Sequence, residues 1–159
     1  MARLVLICIL FFFLATPAMA LVGQEAYEIR TRDLISAEEI SLGKYRGTPV
    51  YLVFFYTLCQ PCQREMQRIV DNRYAFEQSG IQVIGIAMDR WEEDVKAYIK
   101  DKGIFFPVGL ANPSIAMLYE DVRIVPFTYL IGGDGVVKAQ YMGRIPDDKF
   151  SQMLEQVAP

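Results

Sequence analysis

Two cysteines standing two residues apart, in the segment Cys59-Gln60-Pro61-Cys62, are the side chains of this sequence best placed for chemistry. A disulfide between them closes almost no loop, whereas cross-links stabilise by removing loop entropy from the unfolded chain. Such a bridge contributes little as a staple. Its use is redox: one thiolate attacks a disulfide, and the second cysteine resolves the mixed disulfide so formed. The third cysteine, Cys8, lies in an apolar run near the start of the chain.

Neighbouring residues narrow the chemistry. Glu65 follows Cys62 by three residues and shares its helix face, so by pattern it is either a solvated carboxylate or an acid serving the dithiol. The chain has no histidine, which removes Ser-His and Cys-His triads. Zinc, which takes four ligands, is left short of donors. Cu(I) could be held by the two thiolates with Met66, which makes a copper carrier the alternative from a binding class. A thiol peroxidase is the competing enzyme, but such sites place Thr or Ser three residues before the cysteine, where this chain has Tyr56. No phosphate-binding glycine loop is present.

The surrounding elements must put the pair at a helix start. Residues 50–56 form a continuous apolar, β-branched and aromatic run, the pattern of a strand buried on both faces. It feeds a helix opening at the cysteines, with Pro61 in the first turn, where a missing N–H costs nothing. Free N–H groups and the partial positive charge there favour a thiolate at Cys59. Cys59 is thus expected to be the exposed nucleophile and Cys62, one turn on, the less exposed resolving thiol. Met66, Ile69, Val70 and Tyr74 fall along one face of this helix, which should run to Gly80.

Downstream, residues 81–87 read as a second buried strand. Asp89 and Glu92 have capping-box spacing for a helix that reaches Lys102 and stops at Gly103, and Trp91 at its start reads as packing. Residues 106–110 suit a short strand or an extended loop, and Asn112-Pro113 opens a short helix to about Glu120. Residues 127–131 and 136–142 flank the turn Gly132-Gly133-Asp134-Gly135 as a hairpin. Pro146 starts a last amphipathic helix with Phe150, Met153, Leu154 and Val157 inward. Upstream, residues 27–32 and 39–42 alternate as a small hairpin. The order predicts an α/β fold, a mixed sheet with helices on both faces.

The chain has 159 residues, enough for one domain once its start is set aside. Residues 1–20 carry one basic residue, Arg3, an apolar run over residues 4–14, and Ala18-Met19-Ala20, the small-x-small pattern of a signal peptidase site. A cleaved signal peptide over 1–20 and a single domain over 21–159 are expected. An uncleaved N-terminal membrane anchor is the alternative, although the run is shorter than the roughly 20 residues that span a bilayer. The net charge is −3, and the scattered Lys and Arg residues form no dense basic stretch, which argues against a nucleic-acid partner.

The segment Phe54-Phe55-Tyr56-Thr57-Leu58-Cys59-Gln60-Pro61-Cys62-Gln63-Arg64-Glu65-Met66 resembles the active-site segment of the TlpA/ResA-like family of thioredoxin-fold thiol-disulfide oxidoreductases. Residues 102–108, residues 125–131 and Asp134-Gly135 resemble that family's later landmarks in the same order. The resemblance implies a thioredoxin fold with an N-terminal β-hairpin extension. It also implies periplasmic or otherwise extracytoplasmic exchange with protein thiols and disulfides, often reductive, in cytochrome c maturation or related biogenesis. No cofactor beyond a redox-active Cys59–Cys62 disulfide is implied, and a membrane electron donor of the DsbD/CcdA type is.

By the same resemblance Val125-Pro126 is the substrate-binding cis-proline site, although only about 5% of X–Pro bonds are cis. Glu65 matches the family's active-site acid, and Val53 stands where thioredoxin has a buried aspartate. Phe55 and Leu58 replace tryptophans common in the family, which leaves partner preference and potential open. With Gln60-Pro61 offering no cation to a thiolate and Glu65 disfavouring a second negative charge, a reducing couple is expected.

Overall fold

The computed structural model describes residues 21–119 and 122–157. The expected signal segment with Cys8, and Glu120 at the expected helix end, lie outside the described residues, as does the side chain of Val157. The chain forms β1 (Arg30–Arg32), β2 (Glu39–Ser41), a 3-10 turn (Leu42–Tyr45), β3 (Val50–Phe55), α1 (Gln60–Asp71) and α2 (Arg73–Ser79). It continues through β4 (Gln82–Ala87), α3 (Glu92–Lys102), β5 (Val108–Leu110), α4 (Pro113–Leu118), β6 (Phe127–Ile131), β7 (Val137–Met142) and α5 (Asp147–Val157).

Five strands make a mixed sheet in the order β5-β4-β3-β6-β7. The central strand β3 pairs in parallel with β4 and antiparallel with β6, and all six of its residues are buried. Alternation along β3 divides two cores. Tyr51, Val53 and Phe55 meet Met66 and Ile69 of α1, Phe76 of α2, Val95 and Ile99 of α3 and Phe150 and Met153 of α5. Val50, Leu52 and Phe54 meet Ile115 of α4 together with Ile29 and Ile40 from the N-terminal segment. Full burial of apolar side chains of this size stabilises by about 1.5–3 kcal/mol each.

The N-terminal hairpin forms as the alternation suggests, and it lies against the edge strand β5. Leu34 N–H donates to the Val108 carbonyl at 2.8 Å, and the Thr31 hydroxyl donates to the Leu110 carbonyl at 2.8 Å. An otherwise exposed edge is thereby occupied. Gly109 permits the approach: a Cβ there would collide with the Thr31 methyl group and sit 3.1 Å from the Arg32 carbonyl oxygen.

Three local expectations need correction. The helix after the cysteines does not run unbroken to Gly80, because Asn72 (φ −101°, ψ 20°) divides it into α1 and α2. The Asn72 side-chain amide donates to the Arg68 carbonyl at 2.8 Å, and such a bond competes with continuation of the helical ladder. The change of direction turns Tyr74 outward and brings Phe76 into the core. Asp89 does not cap α3; its N-cap is Trp91, without a side-chain cap bond. Trp91 is exposed, not packed, with the Arg90 guanidinium 4.8 Å above its ring.

Candidate active site

Strand β3 ends at Phe55, and a turn over residues 56–59 carries the chain into α1. Cys59 is the N-cap of that helix, with extended backbone angles (φ −79°, ψ 112°). Its Sγ accepts the N–H of Cys62 at 3.2 Å, one of the four amide donors that a helix start leaves without an intrahelical partner. Pro61 falls in the first turn. The two cysteines are joined as a disulfide with a Cα–Cα separation of 5.1 Å. Cys62 is fully buried in the core beside Met66, whereas Cys59 is half-buried at the surface. Of the two, Cys62 is the less exposed, and Cys59 is only partly open to solvent.

A second segment, the one leading into the neighbouring strand β6, faces the sulfur. The Val125–Pro126 peptide bond, immediately before β6, is cis. The Val125 carbonyl oxygen lies 3.7 Å from Cys59 Sγ. Pro126 is buried, and its carbonyl accepts the N–H of Gly143 at 2.7 Å, which ties this loop to the end of β7. Leu58, next to Cys59 in the chain, is 91% exposed, and Ile124, next to Val125, is also exposed.

Glu65 is fully buried, not solvated. The Tyr51 hydroxyl donates to its Oε1 at 2.6 Å, and Arg68 Nη2 lies 2.6 and 2.5 Å from its two oxygens. Among the described residues its hydrogen bonds run to these two partners and to neither sulfur. Arg68 Nη1 in turn donates to the Ile145 carbonyl at 2.6 Å and to Asp147 at 3.1 Å, and the guanidinium lies 4.1 Å from the Phe150 ring centre. Burial, followed by the neighbouring Glu65 charge, pushes the Tyr51 phenol well above its ordinary range, so it remains a donor.

Arg68 was not singled out in the sequence, although its place three residues beyond Glu65 is the spacing of a helical ion pair. Asp89 was also missed as a site residue, because its spacing from Glu92 reads as a helix cap. Its carboxylate instead accepts the Thr57 N–H at 3.1 and 3.3 Å and the Thr57 hydroxyl at 2.6 Å. Thr57 lies in the turn that delivers Cys59.

A thiol pair at a helix N-terminus, with one sulfur open to solvent under a cis-proline loop, on a sheet of this topology, makes a thioredoxin-fold thiol-disulfide oxidoreductase. Residues 22–140 match the AhpC/TSA family model, and the chain belongs to that family. It is similar to the thiol-disulfide oxidoreductase ResA of Geobacillus thermodenitrificans, 28% identical over 148 residues that cover 93% of this chain and 84% of the relative. ResA of Bacillus anthracis is 26% identical over 147 residues, covering 92% and 84%. Among solved structures, a thiol:disulfide interchange protein of the thioredoxin family from Chlorobium tepidum superposes with a TM-score of 0.76 at 22% identity, covering 85% of this chain and 96% of that one. The ResA-like character implied by the active-site segment holds over most of the chain.

Proposed function

We propose that this oxidoreductase is exported and reduces protein disulfides outside the cytoplasm, in cytochrome c maturation or a related branch of protein biogenesis. The observation that carries the reading is the setting of Cys59: half-buried, capped by the Cys62 N–H at 3.2 Å, and 3.7 Å from the Val125 carbonyl. In the reduced protein that N–H stabilises a Cys59 thiolate. The thiolate attacks a substrate disulfide, forming a mixed disulfide and expelling one substrate thiolate, which takes a proton. Cys62, having lost its proton, attacks Cys59 Sγ, forms the internal disulfide and releases the second substrate thiol. Two electrons and two protons pass to the substrate.

Val125 and Pro126 are the residues against which an extended substrate segment lies, with its cysteine over Cys59. Glu65 is the acid nearest the resolving cysteine in sequence. It acts on proton movement from within its ion pair with Arg68. The dithiol is the only redox group the cycle needs, and a membrane electron donor of the DsbD/CcdA type returns it to the reduced state. Residues 1–20 direct export and are removed. No helix among the described residues is long and apolar enough to cross a membrane.

Cys62→Ser tests this reading most directly. Expressed with its leader, it should accumulate mixed disulfides with partner proteins through Cys59 in the exported fraction. Recovery of partners only in the cytoplasm, or through another position, would overturn the assignment.

A further inference from the structure

Residues 56–59 deliver the nucleophile, and most of this turn has little packing to hold it. Tyr56 is 44% and Leu58 91% exposed, while Thr57 between them is buried. All three polar groups of Thr57 are engaged. Its N–H and hydroxyl donate to the Asp89 carboxylate, at 3.1 Å and 2.6 Å for the shortest pairs. Its carbonyl accepts from Gln63 Nε2, on α1, at 2.7 Å. The turn is therefore held from two sides, by the helix it enters and by the loop after β4. That loop is itself anchored, since Met88 N–H donates to the Phe55 carbonyl at 2.8 Å and extends the β3–β4 ladder by one residue. Asp89 is not engaged in capping α3, whose N-cap is Trp91.

We infer that Asp89 is a positioning residue for the nucleophile: by fixing Thr57 it sets the turn so that Cys59 Sγ meets the N–H of Cys62. The inference rests on Cys59 being the attacking thiol. Hydrogen bonds are steep functions of distance and angle, so a turn released by a fraction of an ångström weakens the sulfur's contact with that N–H. A thiolate with a poorer donor is less favoured, and Cys59 becomes less reactive near neutral pH. Asp89 acts on Tyr98 of the neighbouring helix α3. Burial first, then Asp101 and Asp89, push its phenol up to about 12, which keeps it neutral across the range in which the thiol titrates. Arg90, adjacent in the chain, is directed over the Trp91 ring.

The test uses the full mature protein and two readouts that need no substrate: hydrogen exchange at the Thr57 amide, and the pH profile of Cys59 alkylation. Asp89→Ala should abolish Thr57 protection and slow alkylation at pH 7 by roughly three- to tenfold, moving the profile up by about half to one unit. Asp89→Asn, whose amide presents one acceptor and one donor to two Thr57 donors, should fall between. Thr57→Ser should match the wild type, and Thr57→Val, which keeps the N–H bond alone, should show a partial loss. If Asp89→Ala unfolds, the Asp89→Asn and Thr57→Val proteins decide the question. Unchanged Cys59 reactivity despite lost Thr57 protection would overturn the inference. So would faster alkylation with a downward shift, because Asp89 would then act through its charge. Insulin reduction by the wild-type protein, measured alongside, reports separately on the oxidoreductase function.

Discussion

Arg68 and Glu65, one helical turn apart on α1, form an ion pair at 2.5 Å in which Glu65 is fully buried and Arg68 nearly so. The Tyr51 hydroxyl completes the carboxylate's bonding from β3. The pair changes the electrostatics expected at the dithiol. A lone carboxylate three residues from Cys62 would oppose a thiolate, whereas one neutralised by Arg68 presents a dipole whose influence falls off faster with distance. The same pair ties α1 to the start of α5 through Ile145 and Asp147.

Breaking this pair from one side should be costly. Arg68→Ala leaves a buried carboxylate without its counter-charge and should destabilise by about 3–5 kcal/mol in urea unfolding. Glu65→Gln should cost less, because the amide still accepts from Tyr51, and it should also alter the pH dependence of thiol reactivity. A Glu65→Gln protein whose titration curve overlays that of the wild type would limit Glu65 to a structural role.

The two thiols should differ sharply in the reduced protein. Cys59, half-buried and facing an amide donor, should alkylate first, with a pKa below the free value of about 8.5. Cys62, fully buried beside Met66, should react only after Cys59 or on unfolding. Mass mapping of the first-modified residue over a pH series checks both statements, and prior labelling of Cys62 would reverse the assignment.

The couple should be reducing. Its expected basis shifts from Glu65, whose charge Arg68 offsets, to the intervening pair Gln60-Pro61, which brings no cation to the Cys59 thiolate. Equilibration with dithiothreitol or glutathione buffers should give a potential nearer about −270 mV than about −120 mV. A value above roughly −180 mV would mark an oxidase or isomerase.

Acid stability should depend in part on Asp33, at the turn between β1 and β2. Burial opposes its ionisation most strongly. Hydrogen bonds from the Ser36 hydroxyl and from the N–H groups of Val108, Ser36 and Ile35 outweigh burial and hold the carboxyl below its ordinary value. A pKa lower in the folded than in the unfolded chain gives stability that is complete above the unfolded value, about 3.9, and lost as pH falls through the folded one. Asp33→Asn should therefore lower the Tm at pH 7, and the gap to the wild type should narrow below about pH 4. A constant gap from pH 7 to 3 would contradict this account.

The sequence by itself determined the redox pair, its place at a helix start, the succession of strands and helices that makes a mixed sheet, and the small hairpin. Each of these is written in local terms: a two-residue spacing, a proline in a first turn, an apolar run, alternation with period two. Gly80 and Gly103 stop their helices where the sequence indicates, and Asn112 caps α4 through the N–H of Ile115. Tertiary structure alone decided what the polar side chains near the cysteines do. Glu65 has the same spacing whether it faces water or Arg68, and only the packing of α5 and Tyr51 over that face of α1 buries it. Asp89 has the spacing of a helix cap, yet the β3–β4 ladder brings it 32 residues along the chain from Thr57 and within 2.6 Å of its hydroxyl. A carboxylate takes whichever donors the fold brings to it, and that choice is not local.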